Sequence, residues 1–133
     1  MRPTKILENE LTDMEPPYRY KQEQQVGRLL DQYGIPFFYR SPMMIIDQGK
    51  HRIWQPSFSL PHYGMSVIDY MTDDRDIPGR IAVYRYNQIP ATVFGPKDLD
   101  RPNWQYELYQ RLQKEVLRTP DYSLDRFVRL GRD

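Results

Sequence analysis

Gln55-Pro56-Ser57-Phe58-Ser59-Leu60-Pro61-His62-Tyr63-Gly64-Met65-Ser66-Val67-Ile68-Asp69-Tyr70-Met71 carries two strand signals separated by a turn. In the first, Trp54, Pro56, Phe58 and Leu60 fall on one face, while His51, Gln55, Ser57 and Ser59 fall on the other. That is the period-two alternation of a strand with one packed and one polar side. Pro61 to Gly64 turns the chain. Met65 to Met71 then forms a short apolar run with a single acid, Asp69, as a strand near the centre of a sheet would have.

The neighbouring segments extend this pattern in both directions. Upstream, Phe37 to Ile46 is rich in aromatic and aliphatic residues, and Asp47-Gln48-Gly49-Lys50 is a turn sequence that joins it to the next run as a β-hairpin. Before it, Val26, Leu29, Leu30 and Tyr33 recur at helical spacing and Gly34 stands where a left-handed cap is needed. Downstream, the acidic stretch Thr72 to Asp76 and Pro78-Gly79 predict a helix over roughly Arg80 to Asn87. Ile89 to Phe94 reads as a further strand, and Trp104, Leu108, Leu112 and Val116 mark a C-terminal helix. The expected fold is therefore α/β, in the order helix-β-β-β-helix-β-helix, with a mixed central sheet covered by helices. Residues 1–18 read as a partly ordered arm, 19–118 as the α/β domain and 119–133 as a basic tail. No internal repeat or low-complexity segment interrupts it.

Composition narrows the function classes. With 19 basic and 18 acidic side chains, the net charge of +1 gives no global field that would draw the chain onto nucleic acid or an anionic membrane. Eleven Tyr and two Trp argue against disorder, although a mean hydropathy of -0.80 indicates a polar surface. The absence of cysteine removes disulfides, thiolate nucleophiles and zinc-thiolate sites, and makes a cytoplasmic address the expectation. Met1 to Glu10 has no signal-like apolar segment, and no run approaches the roughly 20 apolar residues that a membrane span needs.

Several segments together resemble a known family. Glu23-Gln24-Gln25-Val26, Leu29-Leu30-Asp31, Gly34-Ile35-Pro36-Phe37, the hairpin, Gln55 to Pro61 and Val67-Ile68-Asp69-Tyr70-Met71 are similar in order and spacing to the PD-(D/E)XK nucleases. The likeness is greatest to the group with very-short-patch-repair-like and homing-endonuclease-like members. It continues through Ile89-Pro90-Ala91-Thr92-Val93-Phe94 and Pro96-Lys97-Asp98-Leu99. The resemblance implies a restriction-endonuclease-like core in which two acids, often joined by a glutamate of the first helix, hold Mg²⁺ beside a lysine. A hard cation wants carboxylate oxygens, and a polyanionic transition state wants the cation and an ammonium.

Carried onto this chain, the helix glutamate is Glu23, the Pro-Asp acid is replaced by Ser57, the second acid is Asp69 and the lysine is replaced by Met71. A hydroxyl competes poorly with water for Mg²⁺, and a thioether neither carries a proton nor suits a hard cation. The resemblance thus implies an impaired nuclease with vestigial catalytic and metal positions Glu23 and Asp69, no resident cofactor, and a role in binding a protein or nucleic acid. Two alternatives stand beside it: a divergent Mg²⁺-dependent endonuclease using Glu23 and Asp69, and a purely structural subunit of a complex. The same side chains also read as ordinary structural residues, with Asp69 hydrogen-bonded at a sheet end, Glu23 solvated on its helix and Ser57 a small strand residue.

Other chemistry finds little support. Lys50, His51 and Gln55 are candidates for a migrated ligand or ammonium, but each also reads as a hairpin surface residue. His51 and His62 lack the spacing of a helical zinc pair, and there is no phosphate-cradling glycine loop, dinucleotide fingerprint or G-x-S-x-G elbow. For nucleic acid, Arg111, Lys114 and Arg118 lie three and four residues apart and would share one helix face toward phosphates. Glu107 and Glu115 beside them favour an ordinary solvated surface instead.

Overall fold

A computed structural model describes residues 15–117. Within them lie α1 (Lys21–Gln32), β1 (Phe38–Tyr39), β2 (Met43–Asp47), β3 (Lys50–Trp54), β4 (Phe58–Leu60), β5 (Ser66–Tyr70), α2 (Ile77–Tyr86), β6 (Ala91–Phe94) and α3 (Trp104–Glu115). Four strands form a mixed sheet in the order β1-β4-β5-β6, and β2 and β3 form a separate two-stranded sheet. The β1-β4 and β4-β5 pairs are antiparallel; β5 and β6 are parallel, with α2 as the crossover between them. The chain is an α/β fold, as the order of strand and helix signals predicts. Residues 1–14 of the expected arm, and the whole expected basic tail, lie outside the described residues.

The sheet is covered on both faces because its strands alternate between two apolar layers. Phe58, Leu60, Ile68, Tyr70 and Phe94 join Val26, Leu29 and Leu30 of α1 and Leu108 and Leu112 of α3 in the larger core. Val67 and Val93, one position out of phase, pack with Tyr84 of α2 and Ile45 of β2. Burying each such side chain contributes about 1.5–3 kcal/mol before entropy is counted. The expectation of a polar outer face on the strand before Pro61 is therefore corrected: Phe58, Ser59 and Leu60 are all buried.

That strand is also not continuous. The pairing Phe38↔Ser59 and the pairing Met43↔Trp54 belong to one register, but the ladder breaks between them. Pro42 and Pro56 fall in the gap and supply no N–H, so the hairpin leaves the main sheet there. Arg40 takes a left-handed backbone at φ 50° in the bend and donates its N–H to Ser57 O at 3.0 Å. At the hairpin tip, Gln48 and Gly49 have φ of 52° and 75°, the two-residue mirror-image turn whose twist matches that of paired strands. The second helix starts at Ile77 rather than Arg80, because Pro78 is tolerated in a first helical turn.

Gly27 marks the closest approach. A Cβ at this position would overlap the hydroxyl and ring of Tyr18, whose ring packs edge-on against Tyr39 with centroids 4.9 Å apart. On a free helix Gly→Ala adds about 1 kcal/mol of stability. Here the expected outcome is the reverse: Gly27→Ala lowers stability by about 1–3 kcal/mol in urea unfolding. Adding Tyr18→Phe recovers part of it, since the buried Tyr18 hydroxyl has no hydrogen-bond partner among the described residues. An unchanged or raised unfolding midpoint for the single variant contradicts this packing.

Candidate functional site

Glu23, Ser57 and Asp69, far apart in sequence, meet at one end of the sheet. Glu23 sits in the first turn of α1, Ser57 directly before β4 and Asp69 near the end of β5. The register that pairs Phe58 with Ile68 puts Ser57 beside Asp69. Their exposures are 0%, 0% and 2%. Ser57 Oγ donates to Glu23 Oε2 at 2.6 Å, lies 3.4 Å from Asp69 Oδ1 and accepts the Tyr70 N–H at 3.1 Å. Ser57 N–H donates to Asp69 Oδ1 at 3.1 Å. One serine thus ties both carboxylates together.

Two ionised acids in a dry interior need compensation, and two arginines supply it. Arg40 Nη2 donates to Glu23 Oε2 at 2.6 Å, and Arg80 Nε donates to Asp69 Oδ2 at 2.8 Å. The remaining lone pairs are taken by phenols and backbone. Tyr39 donates to Glu23 Oε1 at 2.5 Å, Tyr84 donates to Asp69 Oδ2 at 2.6 Å, and the Tyr20 N–H reaches Glu23 Oε1 at 3.3 Å as a helix-capping contact. Both arginines are held from behind by rings: Arg80 lies 3.7 Å from the centroid of Trp54, and Arg40 lies 5.7 Å from that of Tyr39.

The ring hydroxyls are tuned by the same setting. Burial first, and then the charge of Asp69, push the Tyr84 phenol far above its ordinary value. Burial and its hydrogen bond to Glu23 likewise raise Tyr39. Arg40 is held above the usual guanidinium value: burial opposes this, but the bond to Tyr39 and the charge of Glu23 outweigh it. All of these groups keep their protons at neutral pH, so the phenols act as fixed donors.

Chemically, the cluster is an internally neutralised network. Glu23 and Asp69 are the carboxylates that would hold a metal, but both oxygens of each already accept protein donors, and each acid is in contact with a guanidinium. A divalent cation would have to displace those cations. Among the described residues no group of three or more His, Asp or Glu side chains is placed to hold a metal ion. The residues present do not fit Mg²⁺.

Met71 stands apart from the network. Its N–H bonds Phe94 O at 2.8 Å, and its side chain packs in the second apolar cluster, at the wall of a cleft of about 410 Å³ shared with Trp54, Asp76 and Arg80. His51 and Lys50 lie exposed on the hairpin, and neither appears in the hydrogen-bond network of the two acids. On α3, Arg111 Nη2 donates to Val93 O at 2.9 Å and pairs with Asp98 and Glu115, so it caps the outer edge of β6. Lys114 is exposed, and Arg118 lies outside the described residues.

Sequence reading did not single out Arg40 or Tyr39, and did not connect Arg80 and Tyr84 with Asp69. For the latter pair a signal existed: they lie four apart on α2 and so share a face. In comparisons with protein-family models, with curated proteins and with solved structures, nothing matches the chain. No helix among the described residues is long and apolar enough to cross a membrane.

Two outcomes are expected. Arg80→Leu leaves Asp69 buried without its cation and lowers stability by about 3–5 kcal/mol, whereas Arg80→Leu with Asp69→Asn loses clearly less. Equal losses in the single and double variants contradict the coupling. Tyr84→Phe costs about 1–3 kcal/mol at pH 7 by removing a donor to a buried carboxylate. Because the folded chain binds the Tyr84 proton more tightly than the unfolded chain, its contribution is whole at neutral pH and is lost as pH rises above about 10. Tyr84→Phe is therefore expected to flatten the alkaline fall in stability, measured by denaturant midpoints between pH 8 and 11; an unchanged slope contradicts the assignment.

Proposed function

We propose that this chain is a catalytically impaired nuclease-like domain of PD-(D/E)XK type that serves as a binding module rather than as an endonuclease. The observation that carries the reading is the pair of arginines, Arg40 and Arg80, bonded to the two acids that an active relative would use for metal. Guanidinium groups stand in for the cation, and the charge of the site is closed without Mg²⁺. Supporting it, the chain is α/β with a mixed sheet, and Glu23, Ser57 and Asp69 come together although the sequence separates them widely.

The chemistry also speaks against turnover. Hydrolysis of a phosphodiester needs a cation or ammonium free to meet the developing charge and a polarised water. Arg40 and Arg80 are engaged with carboxylates and largely buried, and Met71 offers no proton where a lysine is expected. What remains is a rigid scaffold whose old catalytic end has become part of the core.

Thermal unfolding in a Mg²⁺ and Mn²⁺ titration tests the proposal. A specific site filled at a hundred times its Kd would add about 2.7 kcal/mol. The expected result is no saturable rise in the midpoint, an equally flat response of Asp69→Ala, and no cutting of plasmid DNA or RNA by purified chain. A saturable rise abolished by Asp69→Ala, with cleavage lost in the same variant, supports a divergent metal-dependent endonuclease instead.

A further inference from the structure

The β2-β3 hairpin has two strand edges, and their backbone groups are not equally satisfied. Asp47↔Lys50 closes its two-residue turn, so Asp47↔Lys50, Ile45↔Arg52 and Met43↔Trp54 are the pairs whose backbone groups bond each other. The N–H and C=O of Met44 and Ile46 on one strand, and of His51 and Ile53 on the other, must then point outward. On the β2 side the Asn87 side chain takes up Ile46, accepting from its N–H and donating to its O, both at 2.9 Å. On the β3 side no described residue bonds the outward groups of His51 or Ile53. Natural proteins blunt such edges, and among the described residues nothing bonds the outward groups of β3.

The side chains along the open edge define what fits it. The inner face of the hairpin, with Ile45, Met43 and Trp54, is packed on α2. On the outer face Met44 and Ile53 are directly paired, yet they are 64% and 62% exposed. Lys50 and Arg52 line the inner-face rim of the same edge strand, and the nearby acid, Asp47, is already paired to Arg52 at 3.7 Å.

We propose that this edge binds an extended acidic segment of a partner protein, added as a third strand to β3, with acidic side chains toward Lys50 and Arg52 and apolar ones against Met44 and Ile53. A second copy of this chain is a poor occupant, because pairing β3 with itself would bring like charges together. Nucleic acid would use the charges but leave the free backbone groups and the Met44-Ile53 face unsatisfied. The proposal deepens the binding role given above, yet it needs only the hairpin. The metal titration and the peptide measurement therefore fail independently.

The test uses the full chain and a fluorescein-labelled decapeptide that alternates glutamate and valine, followed by fluorescence polarisation. Saturable binding is expected, weakened about tenfold or more by Lys50→Glu with Arg52→Glu. Methylation of alternate peptide nitrogens on the strand-pairing side should abolish it, and exchange of the His51 and Ile53 amide protons should slow in the complex. Circular dichroism of the double variant checks that it folds. The proposal is overturned by absence of saturable binding, by equal binding of the methylated peptide, or by equal binding of a lysine-valine peptide. Equal binding of a DNA duplex would show a mere charge effect and overturn it too.

Discussion

The placement of two buried carboxylates against two guanidinium groups is the constraint on which the rest of this structure turns. Glu23 and Asp69 are almost fully enclosed, and ionised acids there would be intolerable without nearby cations. Arg40 and Arg80 answer them from opposite directions, one from the bend after β1 and the other from α2. Ser57 sits between the acids and shares its hydroxyl and backbone between them. Through these bonds the first helix, the sheet, the hairpin bend and the crossover helix are fastened at a single point.

The same network accounts for the position of the hairpin. Arg80 is covered by Trp54, which belongs to β3, and Trp54 in turn meets Tyr84 edge-on with centroids 5.4 Å apart. The indole thus covers one face of the Arg80 guanidinium while it anchors the inner face of the two-stranded sheet. An outer face is left for other purposes. The buried acid–arginine cluster at the sheet end and the strand edge of the hairpin are thus joined through Trp54.

Much of this was legible in the residues. The apolar spacing of Val26, Leu29 and Leu30, the buried run around Val67 and Ile68, and the Asp47 to Lys50 turn all mark elements that the chain forms. The resemblance brought Glu23, Ser57 and Asp69 to one place, and they do meet. What was hidden depended on tertiary context. The alternation from His51 to Leu60 looks continuous, but Pro42 and Pro56 break its ladder and send the two halves into different sheets. That bend, with its left-handed Arg40, swings a guanidinium onto Glu23, and no local pattern announces such a contact. Arg80 and Tyr84 lie four apart and share a helix face, but only the fold shows that this face turns inward to Asp69.

Replacement of a metal by paired arginines is the central claim, and a crystal soaked in Mn²⁺ with anomalous diffraction at the manganese edge addresses it directly. The account predicts no anomalous peak between Glu23 and Asp69, with the Arg40–Glu23 and Arg80–Asp69 bonds intact. A peak within coordination distance of both carboxylates, with the two arginines displaced toward solvent, would contradict it.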